Sequence, residues 1–301
     1  MEHVAIVSHD AGGAEILSSW LKHTNCSASV VVAGPAEQIF KRKFPKIQFV
    51  KLEEALIKSS WMLSGTGWHN FEIKAISKAR NLGIKTVAFL DHWVNYLERF
   101  EDNGKTILPD EIWVGDTDAE RIANKLFEVT PVLLQSNPYF DDLLKEIETI
   151  QKVNIISDKA EVLYVPEPIG DKAFKEHGDE RYFGYHEHDA LQFFLKNISA
   201  LSESIDSITI RPHPSDQKNK YEWVRRATDI PIQFGGKKTL LQETLDSSIV
   251  VGCESMAMVV GLLAKKRVIC TIPPGGFPCR LPHPNIENLQ QLIESRPLKH
   301  D

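Results

Sequence analysis

The 301-residue sequence lacks the short motifs that assign a chain at once to a familiar enzyme class. It has no G-x-S-x-G elbow, no H-E-x-x-H, no G-x-x-x-x-G-K-[ST] loop and no G-x-G-x-x-G. These absences argue against serine-hydrolase, zincin, P-loop and dinucleotide-binding chemistry. No apolar run approaches the length of a membrane span, and there is no internal repeat or low-complexity segment. The function must therefore be sought in residues that come together in the fold.

The sequence also lacks a dense stripe of basic residues and a pattern of paired cysteines. Its net charge is −6 and its 35 Lys and Arg residues are scattered, which argues against nucleic acid as a partner. There is no C-x-x-C spacing, and a reduced compartment is the simpler expectation. Because the chain enters a strand-like run near its start rather than a signal peptide, we predict a cytoplasmic protein. A content of 42% hydrophobic and 25% charged residues is typical of a globular protein with a proper core.

Strand-like and helix-like runs alternate through most of the chain, which predicts an α/β fold with doubly wound parallel sheets. The predicted strands of the first half are residues 4–7, 28–32, 47–50, 61–64, 85–90, 111–114 and 132–134. The predicted helices there are residues 14–22, 36–41, 72–82 and 117–126, the last with an N-cap among residues 116–118. The second half has predicted strands at 161–165, 207–210, 248–252 and 267–272, and helices at 189–199 and 255–263.

The pattern changes between about residues 138 and 158, where a charged helical stretch is followed by a polar segment at 154–159. We interpret this as a linker and predict two domains, residues 1–150 and 151–301. Two facing doubly wound, Rossmann-like domains would bring their strand-end loops to one crevice.

Two loops in the second half carry the strongest functional pattern. The strand at 207–210 ends at Arg211-Pro212-His213-Pro214, where two prolines stop both helix and strand pairing. The strand at 248–252 leads into Glu254 and Ser255 at the start of an apolar helix, where N–H groups and the helix dipole favour a phosphate. The alternative is an exposed loop histidine and an ordinary helix cap. Because ligands bind at the carboxyl ends of strands in such sheets, we favour the ligand site.

Two glycine-containing loops follow strands of the first half. Asp10, Gly12 and Gly13 lie in the turn after the first strand, and Gly65 and Thr66 follow the strand at 61–64. Glycines let the backbone approach a ligand and leave the N–H groups of the next helix exposed. The alternative is a tight strand-to-helix turn with Asp10 as its cap.

A third strand of the first half delivers Asp91 and His92 beside the aromatic residues Trp93 and Tyr96. A carboxylate near an apolar ring can serve as a general base, and aromatic faces stack on sugar rings or bases. Alternatively, Asp91 and His92 form a hydrogen-bonded strand end, and Trp93 and Tyr96 pack between helices.

The sequence His186-Glu187-His188-Asp189 has the composition of a metal site. It immediately precedes a predicted helix, so we interpret Asp189 as the N-cap of that helix and predict no bound metal.

With these residues in hand, the chain resembles GT-B-fold glycosyltransferases of bacterial surface polysaccharide synthesis. The resemblance is to enzymes with an HP motif and a serine motif: polysialyltransferases, Kdo transferases and the glycerophosphotransferases of teichoic acid synthesis. Here the HP motif would be His213-Pro214 and the serine motif Glu254-Ser255. The similarity covers residues 162–273 best, and the first half only in the general manner of an acceptor domain.

The resemblance implies that His213 and Ser255 bind the phosphate of an activated donor, often a CMP-sugar, and that Glu254 contacts a ribose or sugar hydroxyl. It places the base in the N-terminal domain without a motif that fixes it, and Asp91 is our first choice and Asp10 our second. The predicted catalytic residues are Asp91, His213 and Asp10. The predicted substrate-binding residues are Arg211, Glu254, Ser255, Met256, Gly12, Gly13, Gly65, Thr66 and His92.

We therefore predict a metal-independent, cofactor-free glycosyltransferase that moves a sugar from a nucleotide-activated donor to a glycan or lipid-linked acceptor. A lipid-linked acceptor would bring peripheral association with a membrane. Two alternatives stay open: a nucleotide-sugar epimerase or hydrolase on the same fold, and a non-catalytic nucleotide-sugar binder. The sequence does not determine the sugar, the stereochemical outcome or the oligomeric state.

Overall fold

The chain forms two compact α/β units, Met1–Asp142 and Leu143–Asp301, in a computed structural model that describes residues 2–151, 160–202 and 204–295. The boundary between the units lies within one helix, Pro138–Gln151. The polar segment at 154–159 of the predicted linker lies outside the described residues.

The first unit is built on parallel strands connected by helices. Its elements are β1 His3–Ser8, α1 Ala11–His23, β2 Ser27–Val32, α2 Ala36–Lys43, α3 Leu52–Lys58, β3 Trp61–Ser64, α4 Phe71–Asn81, β4 Lys85–Leu90, β5 Glu101–Asp102, β6 Lys105–Thr106, β7 Glu111–Val114, α5 Thr117–Leu126, β8 Val132–Leu134 and α6 Pro138–Gln151. Six of the described strands form one parallel sheet in the order β2-β1-β3-β4-β7-β8. The strands β5 and β6 form a separate antiparallel hairpin.

The second unit repeats this construction with a different strand order. Its elements are β9 Glu161–Val165, α7 Ile169–His177, α8 Glu187–Lys196, β10 Ser207–Ile210, β11 Ile232–Phe234, α9 Leu240–Asp246, β12 Ile249–Gly252, α10 Met256–Leu263, β13 Arg267–Cys270, β14 Ile286–Asn288 and α11 Leu289–Glu294. Its six described strands are all parallel, in the order β11-β10-β9-β12-β13-β14.

Helices on both faces explain why the central strands are so apolar. Val4, Ala5, Ile6 and Val7 of β1 are completely buried, as is usual for parallel strands covered on both sides. The helix α10 is apolar throughout, and a side chain at Gly261 would press on β12 and β13, so this glycine lets the helix lie close to the sheet. Each central strand is thus packed against helices, and the loops at its end begin from a fixed position.

The predicted α/β class and most predicted elements are confirmed. The strands β3, β4, β7, β8, β9 and β10 and the helix α5 have the predicted bounds, and Asp116 caps α5. Residues 47–50 are not a strand, because only Phe49 pairs there, in an isolated bridge to Val30. Three short helices, α3, α7 and α9, and the strands β5, β6, β11 and β14 were not predicted. Short elements bury few side chains and leave a weak periodic pattern.

Among the residues that the structure describes, no helix combines the length and the apolar character needed to cross a lipid bilayer.

Candidate functional site

The serine motif lies at the topological switch point of the second sheet, between β9 and β12. At such a point neighbouring loops leave on opposite faces, and a crevice opens outside the carboxyl ends of the strands. The Glu254 N–H, after β12, donates a hydrogen bond of 2.7 Å to Glu167 Oε1, after β9. A Cβ placed on Gly252 would lie 3.1 Å from the Val165 carbonyl oxygen, so the two strand ends approach closely.

Ser255 is the N-cap of α10, and Met256 is the first residue of the helix. The Ser255 Oγ accepts the Ala257 N–H at 3.1 Å, so the capping alternative is correct as a description of its contacts. A hydroxyl that accepts one hydrogen bond can still donate its own proton to a ligand oxygen. The N-terminus of α10, with its N–H groups and positive dipole end, adds further affinity for an anion.

Glu254 forms a bidentate ion pair with Arg280, a residue that the sequence analysis did not identify. Arg280 Nη2 lies 2.7 Å from Glu254 Oε2, and Arg280 Nε lies 3.1 Å from Oε1. The Arg280 backbone N–H also donates to Oε1 at 2.6 Å. These bonds raise the pKa of Arg280. The pair places a guanidinium beside the serine motif.

Glu167 is a second residue of this crevice that was not identified from the sequence. Its loss of solvation raises its pKa to about 7, and the negative charge of Glu254 adds to this effect. The hydrogen bond from the Glu254 N–H opposes the shift. The signal in the sequence was a carboxylate between Pro166 and Pro168 at the end of a predicted strand. A group that titrates near neutral pH in a crevice is suited to proton transfer or proton-linked binding.

The HP motif forms a tight turn at the end of β10. The His213 N–H donates to Asp216 Oδ2 at 2.7 Å. The Ser215 N–H donates to His213 Nδ1 at 3.2 Å, so we assign the proton of the neutral ring to Nε2. His213 is an exposed residue, yet the protein around the ring lowers its pKa, against the opposing charge of Asp216. The neutral ring therefore offers Nε2–H as a donor.

A network of buried ion pairs holds the HP turn in place. Lys220 Nζ lies 2.8 Å from Asp216 Oδ1 and also pairs with Glu187. Glu187 Oε2 accepts the Gly170 N–H at 2.9 Å, at the start of α7. Because the Asp216 and Glu187 side chains are buried, the network ties the HP turn to the loop after β9.

Arg211 is engaged with the protein rather than extended from the turn. Its Nη1 donates to Glu243 Oε2 at 2.6 Å and to the Lys238 carbonyl oxygen at 3.1 Å. These contacts join the ends of β10 and β11. A role for Arg211 in phosphate binding stays a prediction.

The His186–Asp189 segment is a capping box. His186 is the N-cap of α8, and Asp189 Oδ2 accepts the His186 N–H at 2.9 Å from the third helical position, so the prediction of Asp189 as N-cap is wrong. His186, Glu187 and His188 place ligand atoms within 4.8 Å of one another. Glu187 is already neutralised by Lys220, and the positive end of the α8 dipole disfavours a cation. This arrangement favours the structural interpretation.

The switch point of the first sheet lies between β1 and β3. The predicted loop with Gly65 and Thr66 follows β3, whereas Gly12 and Gly13 lie in the first turn of α1, with Asp10 as its N-cap. A Cβ on Gly13 would lie 3.0 Å from the Gly65 Cα, so the first turn of α1 and the loop after β3 touch through their backbones. A Cβ on Gly12 would overlap the Asp91 carboxylate. Glycine at these positions therefore serves close packing within the protein.

Asp91 and Thr66, which lie on separate loops, come together around Arg99, an arginine that was not identified from the sequence. Asp91 Oδ1 lies 2.8 Å from Arg99 Nη1 and accepts the Thr66 hydroxyl at 3.2 Å. Arg99 Nη1 also lies 3.1 Å from Thr66 Oγ1, and its guanidinium sits 5.8 Å from the Trp68 ring. The exposed fractions of the Asp91 and Arg99 side chains are 11% and 7%, so this is a largely buried ion pair.

Asp10 and Glu72 form a second cluster at the same switch point. Asp10 Oδ2 accepts the Trp68 N–H at 2.8 Å, and Asp10 Oδ1 lies 2.6 Å from His9 Nδ1. Glu72, on α4, accepts the His9 N–H at 2.6 Å. Burial raises the pKa of Glu72 to about 7. Glu72 was not identified from the sequence, because its helix position carries no motif.

The aromatic residues after Asp91 pack within the first unit. Trp93 is 5% exposed and donates through Nε1 to Asp116 Oδ2 at 2.8 Å. Tyr96 is buried and stacks on Phe127. Of the two alternatives for Trp93 and Tyr96, the structure therefore supports packing within the protein over a sugar-stacking surface. His92 lies against Trp93, with ring centroids 5.6 Å apart.

Two parallel, doubly wound sheets, each with a switch-point crevice, are typical of the GT-B fold, and solved structures agree. UDP-GlcNAc 2-epimerase from Methanocaldococcus jannaschii superposes with a TM-score of 0.62 at 13% identity, over 97% of this chain and 91% of the epimerase. The S. aureus MnaA–UDP structure matches with a TM-score of 0.60 at 9% identity, over 90% of this chain and 79% of that one.

The complex of the M. jannaschii epimerase with UDP-GlcNAc and UDP matches with a TM-score of 0.57 at 13% identity, over 89% of this chain and 83% of that one. No family model and no curated protein matches the sequence. At these identities the similarity shows the fold, and the predicted GT-B class is confirmed.

Proposed function

We propose that this chain is an enzyme that uses a nucleotide-activated sugar, and that it binds the donor phosphate at the switch-point crevice of the second sheet. The observation that carries the proposal is the position of Ser255, which caps α10 at that crevice. A serine hydroxyl, the N–H groups of a helix N-terminus and a fixed histidine donor are the groups that a phosphate ester needs.

Each predicted donor-side residue has a role in this proposal. Ser255 and the first turn of α10 bind phosphate oxygens, and His213 donates from Nε2–H to the same group or to its leaving oxygen. Glu254, held by Arg280, accepts a hydrogen bond from a ribose or sugar hydroxyl. Charge that grows on the departing phosphate would be stabilised by these preorganised donors.

The reaction that we propose first is transfer of the sugar to a hydroxyl of a glycan or lipid-linked acceptor, in the cytoplasm. The base would come from the first unit, where Asp91 is our first choice and Asp10 our second. Arg99 and Thr66 orient the Asp91 carboxylate at the end of β4. Peripheral membrane association would follow from a lipid-linked acceptor.

Epimerisation is a second candidate, and the extent of the fold match favours it. Two structures of a UDP-GlcNAc 2-epimerase superpose on nine-tenths of this chain or nearly so. In that case the same donor site would hold the nucleotide sugar, and a proton shift would replace attack by an acceptor.

A binding screen followed by product analysis tests these proposals. Thermal shift with UDP-, CMP-, GDP- and CDP-linked sugars identifies the ligand, since a bound ligand stabilises the native state. Incubation with the donor alone then separates an epimer or a free sugar from no reaction, and added glycan acceptors test for transfer. Binding without any turnover would indicate a non-catalytic binder.

The variant His213→Ala tests the donor site directly. We expect turnover to fall on the order of 100-fold, because a preorganised donor to the leaving phosphate is lost. The matched control is His23→Ala, at an exposed histidine that pairs with Asp142 in the other unit and should leave turnover unchanged. Undiminished turnover in His213→Ala would overturn the proposed site.

A further inference from the structure

The Pro166-Glu167-Pro168 turn places a carboxyl group inside the crevice where the donor phosphate is proposed to bind. Glu167 lies two positions beyond the end of β9 and its neighbouring prolines restrict the backbone. Its Oε1 accepts the N–H of Glu254, the residue directly before the helix cap Ser255. The carboxyl is thus fixed beside the N-terminus of α10, where a phosphate and an ionised carboxylate would repel each other.

Charged and titratable groups face Glu167 from several elements. They are Glu254 and Cys253 after β12, Arg280 and Cys279 after β13, Lys172 on α7, Tyr164 on β9 and Tyr185 before α8.

Most of these groups keep one charge state near neutral pH. Burial raises the pKa of Cys253, Tyr164 and Tyr185, so all three stay neutral. Glu254 is bound by Arg280 in the bidentate pair. A hydrogen bond from Cys270 lowers the pKa of Cys279, so that thiol is the one neighbour that could also titrate. Glu167 is thus the carboxyl in this group whose charge can change when a ligand binds in the crevice.

We propose that Glu167 takes up a proton from solvent when the nucleotide sugar binds, so that its neutral carboxyl donates a hydrogen bond to a phosphate oxygen. This inference rests on the proposed function, since it concerns the same donor site. It makes Glu167 a binding residue whose protonation is part of donor recognition.

The sign of the effect follows from linkage. Burial already raises the Glu167 pKa to about 7. A bound phosphate raises it further, so the complex holds more protons than the free protein. Affinity is then highest at low pH and falls as the pH rises through about 7. If the bound phosphate keeps Glu167 protonated throughout this range, donor affinity falls roughly tenfold between about pH 6 and about pH 8.

Calorimetry with UDP-GlcNAc and with CMP-sialic acid tests the proposal, because their phosphate esters do not change charge in this range. Titrations near neutral pH in two buffers of different ionisation enthalpy report proton uptake. We expect about half a proton per wild-type site near pH 7. The variant Glu167→Gln keeps an oxygen for the Glu254 N–H and has an amide donor for the phosphate. It should take up no proton and bind with nearly constant affinity.

Three control variants separate Glu167 from its surroundings. Glu222→Gln changes an exposed glutamate of the same unit and should keep the wild-type pH dependence. His213→Gln and Cys279→Ser remove the other groups that could titrate, and both should retain proton uptake.

If the wild type binds a nucleotide sugar without proton uptake, the inference is overturned and the proposed function stands. The same holds if Glu167→Gln takes up as many protons as the wild type. The wild-type measurement decides this even if the variant does not fold. Failure of the wild type to bind any nucleotide sugar in the screen would overturn the proposed function, and the inference with it.

Discussion

The two sheets are both parallel and doubly wound, but their strand orders bring different loops to the switch point. In the first sheet β1 and β3 are neighbours, and the segments after them meet through Gly13, in the first turn of α1, and Gly65. In the second sheet β9 and β12 are neighbours, and the loops after them meet through Glu167 and the Glu254 N–H. The first crevice is closed by backbone contact, and the second is lined by polar groups.

The two crevices also differ in charge. The first holds three carboxylates, Asp10, Glu72 and Asp91, and each is bound by a protein N–H or by Arg99. The second also holds two carboxylates, Glu167 and Glu254, but Glu254 is paired with Arg280, and the crevice offers the N-terminus of α10 and the donor Nε2–H of His213. Under the proposed function, this difference favours an anionic ligand in the second unit and the catalytic base in the first. The predictions below test that division, beginning with the largest expected effect.

Removing the guanidinium from the first crevice should cause the largest loss of stability. Arg99→Met leaves the Asp91 carboxylate buried without its partner, and such a loss costs about 3 to 5 kcal/mol of unfolding free energy. Urea denaturation measures the change. The control Arg121→Met breaks an exposed pair with Asp118 and should cost less than about 1 kcal/mol. Equal effects of the two substitutions would show that the Asp91–Arg99 pair does not organise this crevice.

The buried glutamate of the first unit should make stability depend on pH. Because the folded-state pKa of Glu72 is raised to about 7, its contribution is complete below the unfolded-state pKa and is lost as the pH rises through about 7. Glu72→Gln should therefore gain stability relative to wild type between about pH 5 and about pH 8, by on the order of 3 kcal/mol at most.

Unfolding curves measured at each pH check this prediction. The matched control is Glu128→Gln, at an exposed glutamate of the same unit, whose stability should follow wild type at every pH. If the unfolding free energies of Glu72→Gln and wild type varied with pH in the same way, the raised pKa of Glu72 would be contradicted.

Adding one methyl group to the first turn of α1 should disturb the first crevice. In Gly12→Ala the new Cβ would overlap the Asp91 carboxylate, which Arg99 and Thr66 hold in place, and overpacking of this kind costs about 1 to 3 kcal/mol. Thermal denaturation measures the loss. Gly178→Asn is the control, because its φ of 73° suits asparagine and no atom lies within 4 Å of its Cβ site. Equal melting temperatures for Gly12→Ala and wild type would count against the close packing.

The smallest effect on stability, and the sharpest test of the second crevice, comes from two helix caps. Ser255→Ala and Thr239→Ala each remove an N-cap hydrogen bond and should each cost about 1 kcal/mol. We expect only Ser255→Ala to weaken nucleotide-sugar binding, by roughly tenfold, because Thr239 caps α9 and not α10. Equal binding by both variants would reduce Ser255 to a structural cap.

Much of the fold could be predicted from the sequence because parallel strands buried on both faces are continuous apolar runs. The bounds of β3, β4 and β9 follow directly from such runs. The HP and serine loops were placed at strand ends for the same reason. The elements that were missed, such as α3 with two buried residues, depend on packing that a short pattern does not record.

The site was predicted only in part because its most informative contacts join residues far apart in the chain. The Glu254 N–H and Glu167 are 87 positions apart, and the His9 N–H and Glu72 are 63 apart. Arg99 and Arg280 follow no motif, and they became visible only through the carboxylates that they bind.

The sequence by itself determined that this protein has two α/β units and that polar loops follow its apolar strands, because hydrophobic periodicity is a local property. The tertiary structure decided which of those loops are neighbours, because strand order is set by packing across the whole sheet. It thereby decided that Glu72 and Glu167 titrate near neutral pH, since a pKa depends on burial and on charges brought close through space.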